Sequence, residues 1–159
     1  MKFVLDSNVF IEAHRRYYAF DLAPKFWTEL VNRSDSIICI DRVKGELSEG
    51  KDQLASWVGT CACQFAKTND TNTIKVYSQL MQWANNEPRF MPEARAEFAR
   101  VADAWIVAYA KAYGYTVTTL EVPDKFIKKR IKIPDVCEAF TVPYVNTFTM
   151  LRQLGVKFL

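Results

Sequence analysis

Apolar positions along the chain fall into two kinds of run. Short unbroken ones, in "KFVL" and "SIICI", have the length and branching of buried strands, whereas longer segments repeat apolar side chains three and four residues apart, as helices do. "KFVL" predicts a first strand, followed at once by a helix in "SNVFIEAHRR" for which Ser7 or Asn8 supplies a cap. "LAPKFWTELVNR" predicts a second helix, with Pro24 suited to its first turn and Phe26, Trp27, Leu30 and Val31 at helical spacing. "SIICI" is the next strand, and Asp41 is placed to cap a helix in "DRVKGELSEG".

The middle of the chain predicts helices in "QLASWVGTCACQFA" and "TIKVYSQLMQWANNE". "MPEARAEFARVADAWIVAYAKAYG" gives one or two more, ending at Gly114 in a left-handed cap. "YTVTTLE" reads as a strand, "VPDKFIKKRIKIPDVCEAF" opens with a lysine-rich proline loop, and a last helix in "NTFTMLRQLG" stops at Gly155. Strands alternating with helices predict an α/β fold with a mostly parallel sheet covered by helices. No repeat or linker divides the chain, so residues 1–159 are expected to form one domain.

Composition changes this picture little. Half the residues are apolar, enough for one sizeable core, and a net charge of +3 is compatible with a polyanionic partner without demanding one. Of the four cysteines only Cys61 and Cys63 lie close together, and a single His, His14, argues against a structural zinc site; Cys39, Cys61, Cys63 and Cys137 are expected to be free thiols of a reducing cytosol. Neither a signal peptide nor a membrane-spanning run is evident, which predicts a cytoplasmic protein with no membrane partner.

Charge placement matters more. In open α/β sheets ligands bind at the carboxyl ends of the strands. Asp6 ends the first strand, Glu46 lies on the helix after "SIICI", Asp103 interrupts an apolar helix, and Glu121 ends "YTVTTLE". An aspartate between two core-like runs is costly to bury as an anion without a partner. At roughly 5 Å and an effective dielectric near 20, each like-charged pair repels by about 3 kcal/mol, so such a cluster calls for cations. All-oxygen sites suit Mg2+ or Mn2+, which on phosphates can activate water. The bland alternatives are an Asp6 helix cap, a solvated Glu46, and a loop salt bridge between Glu121 and Lys125. No Ser-His-Asp or Cys-His set assembles around the single His.

"FVLDSNVFI", "RVKGEL", "ADAWIVAYA" and "TVTTLE", in this order, resemble the four acidic blocks of the PIN-domain nucleases, including toxins of VapC type. The resemblance spans nearly the whole chain. It implies a Rossmann-like three-layer α/β/α sandwich and Mg2+- or Mn2+-dependent endoribonuclease activity, as the toxin of a type II toxin–antitoxin pair with a cognate antitoxin as partner. It also implies that Asp6, Glu46 and Asp103 are metal-site acids, that Glu121 is the fourth catalytic acid, and that Asn8 supports Asp6 by hydrogen bonding. Glu121 departs from the commoner pattern, where Asp stands; Asp124 and Asp135 are nearby substitutes.

The stretch "DKFIKKRIK" places Lys125, Lys128, Lys129, Arg130 and Lys132 directly after the fourth block. A solvated face is the default for such a run, but beside a carboxylate cluster a basic rim is what would hold an RNA backbone. Arg15, Arg16, Arg95 and Arg100 are further candidates, and the aromatics are assigned to the core or to a protein interface, a homodimer included. Two other functions compete: a catalytically silent PIN-like module binding RNA or protein, and a receiver-like phosphoacceptor domain. The second wants paired acids on the first strand and a late-strand lysine, neither of which is clear.

Overall fold

Phe3, Val4 and Leu5 are completely buried, and a strand buried on both faces must lie inside a sheet with helices above and below. The computed structural model, which describes residues 1–159, places this strand, β1 (Phe3–Leu5), at the centre of five. With β2 (Ile37–Ile40), β3 (Phe65–Ala66), β4 (Thr116–Thr118) and β5 (Tyr144–Val145) it forms a parallel sheet in the order β3-β2-β1-β4-β5. Phe3 is in register with Ile37 on one side and Thr116 on the other. The chain therefore winds outward from β1 to β3 and then returns to β4, so the strand order reverses between β1 and β4. In such sheets the crevice opens at that reversal.

Helices α1 (Ser7–Glu12), α2 (Pro24–Asn32), α3 (Asp41–Ser48), α4 (Gln53–Thr60), α5 (Thr71–Asn86), α6 (Pro92–Arg100), α7 (Asp103–Tyr113), α8 (Ile133–Phe140) and α9 (Thr147–Gln153) flank the sheet, giving the α/β/α sandwich expected from the sequence. The α7 helix packs against β1, β4, α5 and α8 through buried Ala104, Ile106, Val107, Ala108 and Ala110. Its small residues let helix and sheet approach closely. Gly114 and Gly155 take left-handed conformations at φ 73° and 70° where α7 and α9 end. The α1 helix continues into a wider turn, Ala13–Tyr17, closed by the Tyr18 N–H on the Ala13 carbonyl at 2.7 Å. No helix is long and apolar enough to cross a membrane.

Four local expectations are corrected. Asp41 is the first residue of α3 rather than its cap; its carboxylate instead accepts the Thr68 hydroxyl at 2.8 Å, tying the end of β3 to the start of α3. Helix α4 stops at Thr60, and the chain turns extended at Cys61. Residues two apart on a continuous helix point to different sides; ending the helix there lets Cys61 and Cys63 form a disulfide, with Cα atoms 5.2 Å apart, so only Cys39 and Cys137 are free thiols. Lastly, α8, with Pro134 in its first turn, and the two-residue β5 occupy a region whose apolar pattern is too short to announce either.

Candidate functional site

Asp6 follows β1 directly, at the point of strand reversal. Its N–H donates to the Thr118 carbonyl at 2.9 Å, fixing the backbone to the end of β4. Asp6 stands at the N-cap position of α1, but its carboxylate forms no full capping hydrogen bond there and feels only the pull of the Asn8 main-chain N–H, so capping alone does not account for it. Its Oδ2 instead accepts the Thr119 hydroxyl at 3.0 Å, and that hydroxyl in turn accepts the Glu121 N–H at 3.1 Å. Asp6 is 1 % exposed, a carboxylate placed in the core of the molecule.

Glu46, on α3, is reached from two other elements. The Ser7 hydroxyl donates to its Oε1 at 2.6 Å and the Ala102 N–H, just ahead of α7, to its Oε2 at 3.4 Å. Asp103 is the first residue of α7, where the helix N-terminus favours negative charge. Asp6, Glu46 and Asp103 share one cleft of about 370 Å³, with Asn8, Glu97, Lys129 and Arg130 also on its walls. Elements far apart in sequence thus deliver four acids to one opening, of which Glu97 is paired with Arg100.

The electrostatic consequence is large. Burial, then the charge of Glu121, pushes the Asp6 carboxyl up to about 7, against the opposing pull of the Thr119 hydroxyl and the Asn8 main-chain N–H. Burial, then the charges of Asp6, Glu121 and Glu46, pushes Asp103 up to about 8, with Arg130 acting the other way. Near neutral pH these two groups do not readily ionise together, and a cation between them would reverse that.

Does the donor set fit a metal? No three His, Cys, Asp or Glu side chains stand in the tight grouping of a closed shell. Hard oxygen donors without nitrogen or sulfur nevertheless match Mg2+, which binds through one or two carboxylates while keeping several waters and has no need of an all-protein cage. Mn2+ accepts the same donors. The chemistry of the cleft fits either ion, with Asp6, Glu46 and Asp103 as the available carboxylates.

Other candidates lie elsewhere. Glu121 has both oxygens engaged, one by Arg130 at 2.8 Å and the other by the Ile133 N–H at 3.2 Å at the start of α8. It is not on the cleft wall; it acts there as a nearby charge, and its salt bridge is with Arg130 and not Lys125. Asp124 accepts the Phe126 N–H, and Asp135 faces Arg89 at 3.6 Å, so neither substitute reaches the cleft. Asn8 is on the wall, but what its position offers Asp6 is the main-chain N–H; the side-chain hydrogen bond to Asp6 comes from Thr119.

Among the basic residues, Lys129 and Arg130 border the cleft, while Lys125 and Lys128 are exposed on the same loop. Arg16 pairs with Glu12, Arg100 with Glu97, and Arg95 donates to the Glu87 carbonyl at 2.8 Å; Arg15 is exposed. His14 is half-buried with its ring 5.4 Å from that of Phe20, away from the cleft. Sequence reasoning missed Thr119, the supporting role of Ser7, and Glu97. Only Thr119 carried a signal, being a polar residue between the end of a buried strand and an acid; Glu97 looks like any solvated helix residue.

A family model described as a domain of unknown function (DUF4411) matches residues 3–158. No curated protein matches. Among solved structures, VapBC2 from Rickettsia felis, bound to a DNA fragment from its promoter, superposes with a TM-score of 0.57 at 14 % identity, over 92 % of this chain and 98 % of that one. FitAcB from Neisseria gonorrhoeae does so with a TM-score of 0.55 at 16 % identity, over 92 % and 98 %. At such identities the likeness is one of fold, and the fold is PIN-like.

Proposed function

We propose, for a chain that belongs to the DUF4411 family and carries a PIN-like fold, that it is a Mg2+- or Mn2+-dependent endoribonuclease and the toxin of a type II toxin–antitoxin pair. The observation that carries this reading is the convergence of Asp6, Glu46 and Asp103 on one cleft at the strand reversal, with burial and neighbouring charge holding two of them poorly ionised. These three would hold the ion, which when bound supplies an activated water and offsets phosphate charge. Thr119 orients Asp6, Ser7 orients Glu46, and Lys129 and Arg130 at the rim offer cations to the RNA backbone. The antitoxin partner is supported by the fold neighbours, which are two-component assemblies by name; self-association into a homodimer is a separate proposal, checked by sedimentation.

Calorimetry with Mn2+ tests the site. Binding is expected to weaken at least tenfold in each of Asp6→Asn, Glu46→Gln and Asp103→Asn, because each removes one of few charged ligands. Unchanged affinity in all three would remove the metal assignment. One observation favours a second reading, a silent PIN-like module that binds RNA or protein: Arg130 and the Ile133 N–H occupy Glu121, so the cleft lacks that acid as a free group. Such a module would show no metal-stimulated cleavage even at high protein concentration.

A further inference from the structure

Between β4 and α8 the chain holds Phe126 in solvent with 88 % of its surface exposed, among the exposed ammonium groups of Lys125, Lys128 and Lys129. Leaving a phenyl side chain in water forgoes the favourable burial of its apolar surface, and the backbone that carries it is held in place. The Phe126 N–H donates to Asp124 Oδ1 at 3.0 Å, and the Asp124 N–H to Asp135 Oδ1 at 3.3 Å. On either side, Arg89 donates to the Lys125 carbonyl at 2.7 Å and the Met91 N–H to the Lys128 carbonyl at 3.0 Å. The backbone is thus anchored to the start of α8 and to the segment leading into α6, and from it the ring extends into solvent.

The chemistry around the ring narrows what it can hold. The cores of protein interfaces are depleted of lysine, whereas single-stranded nucleic acid is held by aromatic faces interleaved with cations. The same loop runs on to Lys129 and Arg130 on the cleft wall, and four residues span at most about 14 Å, so the backbone that carries the ring lies within about that distance of the cleft rim.

We propose that Phe126 is a stacking platform for an unpaired base of single-stranded RNA beside the acidic cleft, with Lys128 and Lys129 on the adjacent phosphates. This rests on the nuclease reading and names its substrate as single-stranded at that point, because only an unpaired base offers a free face to the ring.

Fluorescence anisotropy of a labelled single-stranded oligoadenylate, measured on the full chain in an Asp103→Asn background so that RNA stays intact, tests it. Phe126→Ala is expected to bind about tenfold more weakly with an unchanged log–log salt slope, and Phe126→Trp to bind as the parent or better. Lys128→Ala with Lys129→Ala should instead reduce the slope by about 1.4, at roughly 0.7 per phosphate on a single strand. Duplex RNA should not distinguish Phe126→Ala from the parent. Equal single-strand affinity in Phe126→Ala overturns the proposal, as does an equal loss on duplex, and as does a change confined to sedimentation, which would make the ring a protein contact. An Asp103→Asn parent that binds no single-stranded RNA overturns this inference and the RNA-cleaving reading together; binding in that background, with no cleavage by the chain that keeps Asp103, overturns only the enzyme.

Discussion

Replacing Asp103 with Asn is expected to abolish Mg2+-dependent RNA cleavage, by about a thousandfold or more, while RNA affinity stays equal or rises. The geometry supports this split. Asp103 shares the cleft with Asp6 and Glu46, and the change is isosteric, so the start of α7 and the contact between Glu46 and the Ala102 N–H are undisturbed. What disappears is one carboxylate of a small donor set, and charge stabilisation at a phosphoryl centre is worth several kcal/mol, each 1.36 kcal/mol being about tenfold in rate. In the metal-bound cleft, where a cation favours the ionised carboxylate, a negative charge facing the substrate disappears too, which favours binding. Single-turnover cleavage beside anisotropy under the same metal concentration checks both halves. If Asp103→Asn cleaves as fast as the parent, the activity is a contaminant or lies elsewhere on the protein.

The metal-free protein is expected to lose stability as the pH rises from 5 to 8, and Asp6→Asn to remove part of that loss. Asp6 and Asp103 have folded-state values raised to about 7 and about 8, well above those of the unfolded chain. Between the unfolded and folded values the native state binds more protons than the unfolded one, so stability falls with increasing pH across that window and levels off above it. Below both values the penalty is absent. At about 1.36 kcal/mol per pH unit for each group, the loss across pH 5 to 8 is several kcal/mol, enough to lower the melting temperature by roughly 10 °C or more in a chain of this size.

The groups facing the pair are consistent with this sign: Glu46 and Glu121 add to the penalty, while Arg130 and Thr119 oppose it. Asn at position 6 keeps an oxygen to accept the Thr119 hydroxyl and drops the charge, so this variant should be at least as stable as the parent at pH 8 and show a shallower pH dependence. Mg2+ should raise the parent's melting temperature more at pH 8 than at pH 5, because the ion competes with protons for the same oxygens. Thermal melts in chelator and in Mg2+ decide the matter; a large loss of metal-free stability in Asp6→Asn at pH 8 would make Asp6 a structural anchor.

Much of this molecule is legible in one dimension. Strands β1 and β2, most of the helices, the Pro24 start of α2 and the left-handed stops at Gly114 and Gly155 follow from runs, spacings and caps, all properties of neighbouring residues. Asp6, Glu46 and Asp103 were legible for a related reason. Each sits where an apolar pattern makes a charge expensive or where a strand end must deliver side chains to the crevice, and the cost of a buried charge can be read without knowing its neighbours.

Pairing was not legible, because a hydrogen bond or ion pair depends on which elements the fold brings side by side. Nothing local told Asp41 to bond Thr68 instead of capping its helix, or Glu121 to take Arg130 and the start of α8 rather than face the cleft. The same holds for Thr119, which meets Asp6 only because β4 lies beside β1, and for Cys61 and Cys63, which meet only because α4 ends at Thr60. Local patterning decides which residues form elements and where charge is costly; the tertiary packing decides which partner offsets each charge, and so which acids remain available in the cleft.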